Sequence, residues 1–135
     1  MEYGLLFYFS EDFAPSDEAS LQQLIAGLAS AHRWTNKPPQ FIDHTQDDAS
    51  DTGEPIRTVG GFLSLPHPKD VSDRQAERAH YDEVERIVNS LTAFTAETGC
   101  EFELELGGTY VGDIAGGKPS PLVAVGLLDE WRKAL

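Results

Sequence analysis

Residues 100–135 read CEFELELGGTYVGDIAGGKPSPLVAVGLLDEWRKAL, and this stretch decides the fold. Its first part alternates strictly, with acids at Glu101, Glu103 and Glu105 and apolar residues at Phe102, Leu104 and Leu106. Successive side chains of a strand point to opposite faces, so the pattern predicts a strand with one buried and one wet face. Gly107-Gly108 tolerates the positive φ of a tight turn, and residues 109–114 return as a second strand. Gly116-Gly117 and Pro119-Ser120-Pro121 break that strand. Ser120 is placed to cap a helix whose first residue is Pro121, and Leu127, Leu128, Trp131 and Leu135 then share one stripe. The expectation is a β-hairpin followed by a docking helix.

Working outward, residues 3–10 (YGLLFYFS) read as a central strand covered on both faces. Ser16 or Asp17 is placed to cap a helix that buries Leu21, Leu24, Ile25 and Leu28 and stops before Pro38-Pro39. Residues 40–44 and 56–65 read as strands, the second interrupted by a bulge or bend at Gly60-Gly61. Asp70 or Ser72 starts a long helix that Gly99 ends, with Tyr81, Val84, Ile87, Val88, Leu91 and Phe94 as its buried stripe. Its first two turns, 72–80, are almost entirely polar and are expected to project past the sheet. The order is β-α-β-β-α-β-β-α. It implies an α+β single domain over residues 1–135, with a mostly antiparallel sheet and helices on one face. A ferredoxin-like βαββαβ core with an added strand and terminal helix is the economical topology.

Composition narrows the partners. Among 135 residues, 23 are Asp or Glu and 10 are Lys or Arg, a formal net charge of −13. Such a surface repels nucleic acid and anionic membranes, so neither is expected as a partner; it attracts a basic protein. Solubility alone is the plain alternative. No apolar run approaches the roughly 20 residues of a membrane span, and the LLFYF run lacks a basic leader, so the expected location is the cytoplasm. Cys100 is the only cysteine, which excludes an internal disulfide and a CxxC metal site.

Catalytic and cofactor motifs are not found. The acidic segment 43–54 does not make an EF-type calcium loop, because a register starting at Asp48 puts Val59 where the bidentate glutamate belongs. GDIAGGKP at 112–119 has P-loop spacing, but Pro119 stands where a magnesium-holding Ser or Thr is required. His32, His44, His67 and His80 show no zinc-ligand spacing, and neighbouring Asp43 and His44 on a strand would face opposite ways. No GxSxG serine is present, and Cys100 reads as a small core residue. The expectation is therefore no enzyme, no cofactor and no metal. Three acids on one strand face, roughly 7 Å apart, repel one another unless bases lie across the sheet, and Asp113 on the paired strand would extend the patch.

Residues 108–135 form a G-x-x-x-G-x-I strand, a glycine turn and a helix ending GLLDEW. This resembles the C-terminal part of immunity proteins from bacterial polymorphic toxin systems, including contact-dependent growth inhibition. The resemblance implies a cytoplasmic protein that binds and neutralises one cognate toxin domain, for which a basic nuclease is the electrostatic match. Partner-binding candidates are Glu101, Glu103, Glu105 and Asp113 on the sheet, and Asp47, Asp48, Asp51 and Glu54 in the acidic loop. Two other readings stand beside it. One is a small-molecule-binding or enzymatic α/β domain with a cleft between the sheet and the polar start of the long helix, using His80, Tyr81 or Arg74. The other is a homodimer joined through sheet edges.

Overall fold

A computed structural model describes residues 3–10, 12–46, 56–67 and 73–135. The elements are β1 (Gly4–Phe9), α1 (Pro15–Ala31), β2 (Gln40–Gln46), β3 (Ile56–Ser64), α2 (Arg74–Thr98), β4 (Glu101–Leu106), β5 (Thr109–Ala115) and β6 (Lys118–Pro119). A π-helical segment, Leu122–Asp129, then runs into α3 (Glu130–Ala134). The strands form one sheet in the order β2-β3-β1-β4-β5-β6, with every pairing antiparallel. Strands 2-3-1-4 are the ferredoxin-like core, and the hairpin partner β5 and short β6 extend it on one side.

The core lies between one sheet face and the helices. Leu5, Phe7 and Phe9 of β1 and Phe102 and Leu104 of β4 meet Tyr81, Val84, Ile87, Val88, Leu91 and Phe94 of α2, all buried. From α1, Leu21 and Ile25 are buried while Leu24 and Leu28 pack at the margin. β1 is central, as expected, but only one of its faces is covered: Leu6 and Tyr8 are half-buried on the other.

Helix ends differ from the sequence reading in instructive ways. α1 starts two or three residues earlier than a Ser16 or Asp17 cap would give. Ala14 is the N-cap, Pro15 is the first helical residue, and the Ala14 N–H donates to the Asp17 carboxylate at 2.9 Å. α2 is capped by Asp73, whose Oδ1 accepts from the Gln75 N–H at 2.9 Å; Asp70 and Ser72 lie outside the described residues. Gly99 ends it in the left-handed region at φ 76°, donating to Thr95 O.

Gly60-Gly61 makes no bulge. The β1–β3 register runs unbroken from Gly4 opposite Ser64 to Tyr8 opposite Gly60. The glycines serve close approach: a Cβ on Gly60 would strike the Phe7 carbonyl, and one on Gly61 the Phe7 ring. The bulge is elsewhere. Gly112 faces Leu104 and Tyr110 faces Glu105, which leaves Val111 as the extra residue of β5. Ser120 does not cap with its side chain. Its carbonyl accepts from Val123 and Ala124, while its Oγ accepts from the Asp113 N–H at 3.2 Å, tying the start of the terminal helix to β5. That helix buries Val123, Leu127 and Leu128, with Trp131 and Leu135 at the core margin.

Candidate functional site

The uncovered sheet face is ordered by strand register. One cross-strand row reads Gln40, Phe62, Leu6, Glu105, Tyr110, and the next reads Ile42, Gly60, Tyr8, Glu103, Asp113. Neither row contains a base. Glu101 lies further along the same face, opposite Ala115. The sheet thus brings Glu101, Glu103, Glu105 and Asp113 together, with Glu103 and Asp113 directly opposed, an arrangement that like charges disfavour. Asp47, Asp48, Asp51 and Glu54 lie outside the described residues.

Tyr8 moderates this repulsion. Its hydroxyl is 2.8 Å from Glu103 Oε2 and 2.9 Å from Glu105 Oε2, so one phenolic proton serves two carboxylates. Burial, followed by these two hydrogen bonds, pushes the phenol well above the usual tyrosine range. Burial likewise raises Tyr110, and the charges of Asp113 and Glu103 push in the same direction. Beside the acids Tyr110 is 49% exposed, and the terminal helical segment leaves Leu122 58% and Val125 49% exposed. A shallow hollow of about 200 Å³ connects Tyr110 and Val111 with Leu122 and Leu127. The acidic face therefore borders an exposed apolar margin at Tyr110 and Leu122, which the sequence pattern did not mark because only the stripe Leu127, Leu128, Trp131 and Leu135 stood out in the terminal helix.

On the helix side, a cleft of about 370 Å³ opens at the end of the sheet, between the first turns of α2 and the terminal helix. Its apolar walls include Tyr3, Leu65, Leu127 and Trp131, and its polar groups come from Glu77, His80 and Glu130. The start of α2 thus does not simply project. Arg74, Gln75 and Arg78 are exposed, but Glu77 and His80 face a cavity.

Behind His80 is a buried polar chain. Glu83 is only 2% exposed, a position that is costly for a carboxylate without donors. Thr35 donates its N–H to Glu83 Oε2 at 2.9 Å and its hydroxyl to Oε1 at 2.8 Å, and His32 Nε2 lies 3.0 Å from Oε2. Thr35 Oγ1 is also 3.1 Å from His80 Nδ1. Since the hydroxyl proton goes to Glu83, His80 Nδ1 must be the donor in that contact. Trp34 anchors the same loop, donating Nε1–H to Leu28 O at 3.1 Å and setting its ring edge-on to His32.

The remaining candidates resolve into structural roles. Asp43 and His44 do face apart. Asp43 takes two hydrogen bonds from Arg57 at 2.9 and 2.7 Å, which lower its pKa, while His44 is exposed on the open face. Arg57 also reaches Glu18 of α1 at 2.9 Å. Cys100 is buried, and burial raises its thiol pKa. Gly116-Gly117 is the turn into β6, where the Gly117 N–H donates to Thr95 Oγ1 at 3.0 Å. No group of three or more metal-ligating side chains occurs among the described residues, and no described helix is long and apolar enough to cross a membrane. Comparison with protein-family models, curated proteins and solved structures yields no match.

Proposed function

We propose that this chain is a cytoplasmic immunity protein that binds and neutralises a cognate basic toxin domain, with a nuclease as the best electrostatic match. The observation that carries the reading is the uncovered sheet face, where Glu101, Glu103, Glu105 and Asp113 share a surface whose two central rows hold no base. A cationic partner relieves the mutual repulsion of these acids as it docks, so complementarity adds specificity and encounter rate. The neighbouring Tyr110 and Leu122 supply apolar contact area of the kind that anchors an interface beside a polar rim. The chain acts by occluding the toxin and turns over nothing itself.

The test is stopped-flow and equilibrium binding to the small basic toxin domain that this reading requires a neighbouring gene to encode. The wild-type association rate is expected to fall by about tenfold or more between low and physiological salt, the signature of electrostatic steering. The triple substitution Glu103→Gln, Glu105→Gln, Asp113→Asn is expected to slow low-salt association by a similar order and to abolish most of the salt dependence. Binding that is indifferent to both changes removes the acidic face from the reading. Failure to bind the basic domain at all removes the function.

A further inference from the structure

The cleft at His80 shares none of Glu101, Glu103, Glu105 or Asp113, and its chemistry is of a different kind. We propose that it binds a small organic cation, an ammonium or guanidinium group carried on a flat apolar body. Three observations converge on that class.

The first is the polarity of the cleft. Among the described residues its charged groups are the carboxylates of Glu77 and Glu130, and no described Lys or Arg lines it. A chain of net charge −13 adds a long-range field of the same sign. An anionic ligand would meet these two carboxylates with no countercharge among the described lining residues, whereas a cation is drawn to them.

The second is His80. It is 9% exposed, its Nδ1–H is committed to Thr35, and the ring lines the cleft. In neutral imidazole with Nδ1 protonated, Nε2 is the acceptor. The relay from Glu83 through the Thr35 hydroxyl fixes that tautomer, in the way a carboxylate fixes a histidine that must present a lone pair. With the ring neutral, the buried end of the cleft offers an acceptor at Nε2, which suits an N–H donor from the ligand.

The third is the aromatic pair. Trp131 is held edge-on by Tyr81 at 5.7 Å between ring centroids, and Tyr3 packs against His67 at 5.1 Å. Two aromatic walls provide a surface for a planar apolar body and favour an adjacent cation. A volume of about 370 Å³ lies at the small end of the range for ligand sites. The Leu122–Asp129 segment forms one wall in π geometry, with the Glu130 N–H reaching Val125 O five residues back. Such turns recur at functional sites.

Benzamidine is the probe, with benzyl alcohol and benzoate as neutral and anionic counterparts. Titration of the full chain is followed by the indole N–H resonances, with Trp131→Phe identifying the Trp131 signal against Trp34. Saturable displacement of the Trp131 signal is expected, with Kd of about a millimolar or tighter for a fragment of this size. Benzyl alcohol should bind at least about tenfold more weakly, and benzoate not at all. Glu77 is half-buried and Glu130 exposed, so the double substitution Glu77→Gln, Glu130→Gln should leave the fold unchanged by circular dichroism. It should weaken benzamidine by about tenfold or more. Equal affinity for benzamidine and benzyl alcohol, unchanged affinity in the double variant, or no Trp131 response at about ten times the expected Kd would each overturn the proposal.

Discussion

At the scale of single residues, Tyr8 has the most to explain: one phenolic proton between two carboxylates that would otherwise only repel. Because the folded state holds that proton more tightly than the unfolded chain does, the sign of its pH effect is fixed. Its stabilising contribution is complete below the ordinary tyrosine pKa of about 10 and is lost as pH rises beyond it. Tyr8→Phe is expected to cost about 1 kcal/mol at neutral pH, the net worth of a partly buried hydrogen bond. It should also flatten part of the stability loss between about pH 9 and 11. Urea unfolding across that range checks both, and an alkaline slope identical to wild type would contradict the role. Tyr3, Tyr81, Tyr110 and the buried Cys100 thiol, whose pKa values are raised as well, contribute to the slope that remains. The acids of 101–106 were legible from alternation alone. Their partner was not, since Tyr8 is 95 positions from Glu103 and its hydroxyl has no local signature.

Among elements, the terminal helix depends on how closely it can approach β5. Gly112 has φ 126°, and a Cβ there would crowd Val123 Cγ2 at 2.6 Å and Ser120 Oγ at 2.8 Å. Gly116, at φ 58°, has open space around it. The two positions separate backbone strain from steric exclusion. Gly116→Ala should cost about 1 kcal/mol from the left-handed backbone alone. Gly112→Ala should cost about 3 kcal/mol, because strain and overpacking add. Urea midpoints of the two variants measure the difference, and equal costs would refute the packing role. Alternation located β4 and helical spacing the buried stripe of α2, because burial on one face imposes periods of 2 and 3.6, whereas the other core strands were visible only as short runs between breakers. Periodicity did not reveal the π geometry of 122–129, since Leu127 and Leu128 satisfy either helix. Nor did it reveal the cleft: the polar turns 72–80 carry no local mark of the Tyr3, Leu65 and Trp131 surfaces that meet Glu77 and His80.

For the whole molecule, the excess of acids sets the response to salt. Self-repulsion at net charge −13 opposes the compact state, and the pairs Arg57 makes with Asp43 and Glu18 are partly open to solvent. Screening should therefore remove more repulsion than attraction. Raising NaCl from about 10 mM to about 0.5 M is expected to increase Tm by a few degrees. A flat or falling Tm in differential scanning calorimetry would mean that the acids are already compensated within the fold.

The two flanks of the sheet are unequal. β6 is two residues long and contains Pro119, which has no N–H to donate, beside Lys118. β2, at the opposite flank, runs seven residues without proline. Among the described residues β2 is thus the longer margin open to a further strand from another copy. If two copies join there about a dyad, each uses the same margin, and growth along that margin halts at a pair rather than propagating into a ribbon.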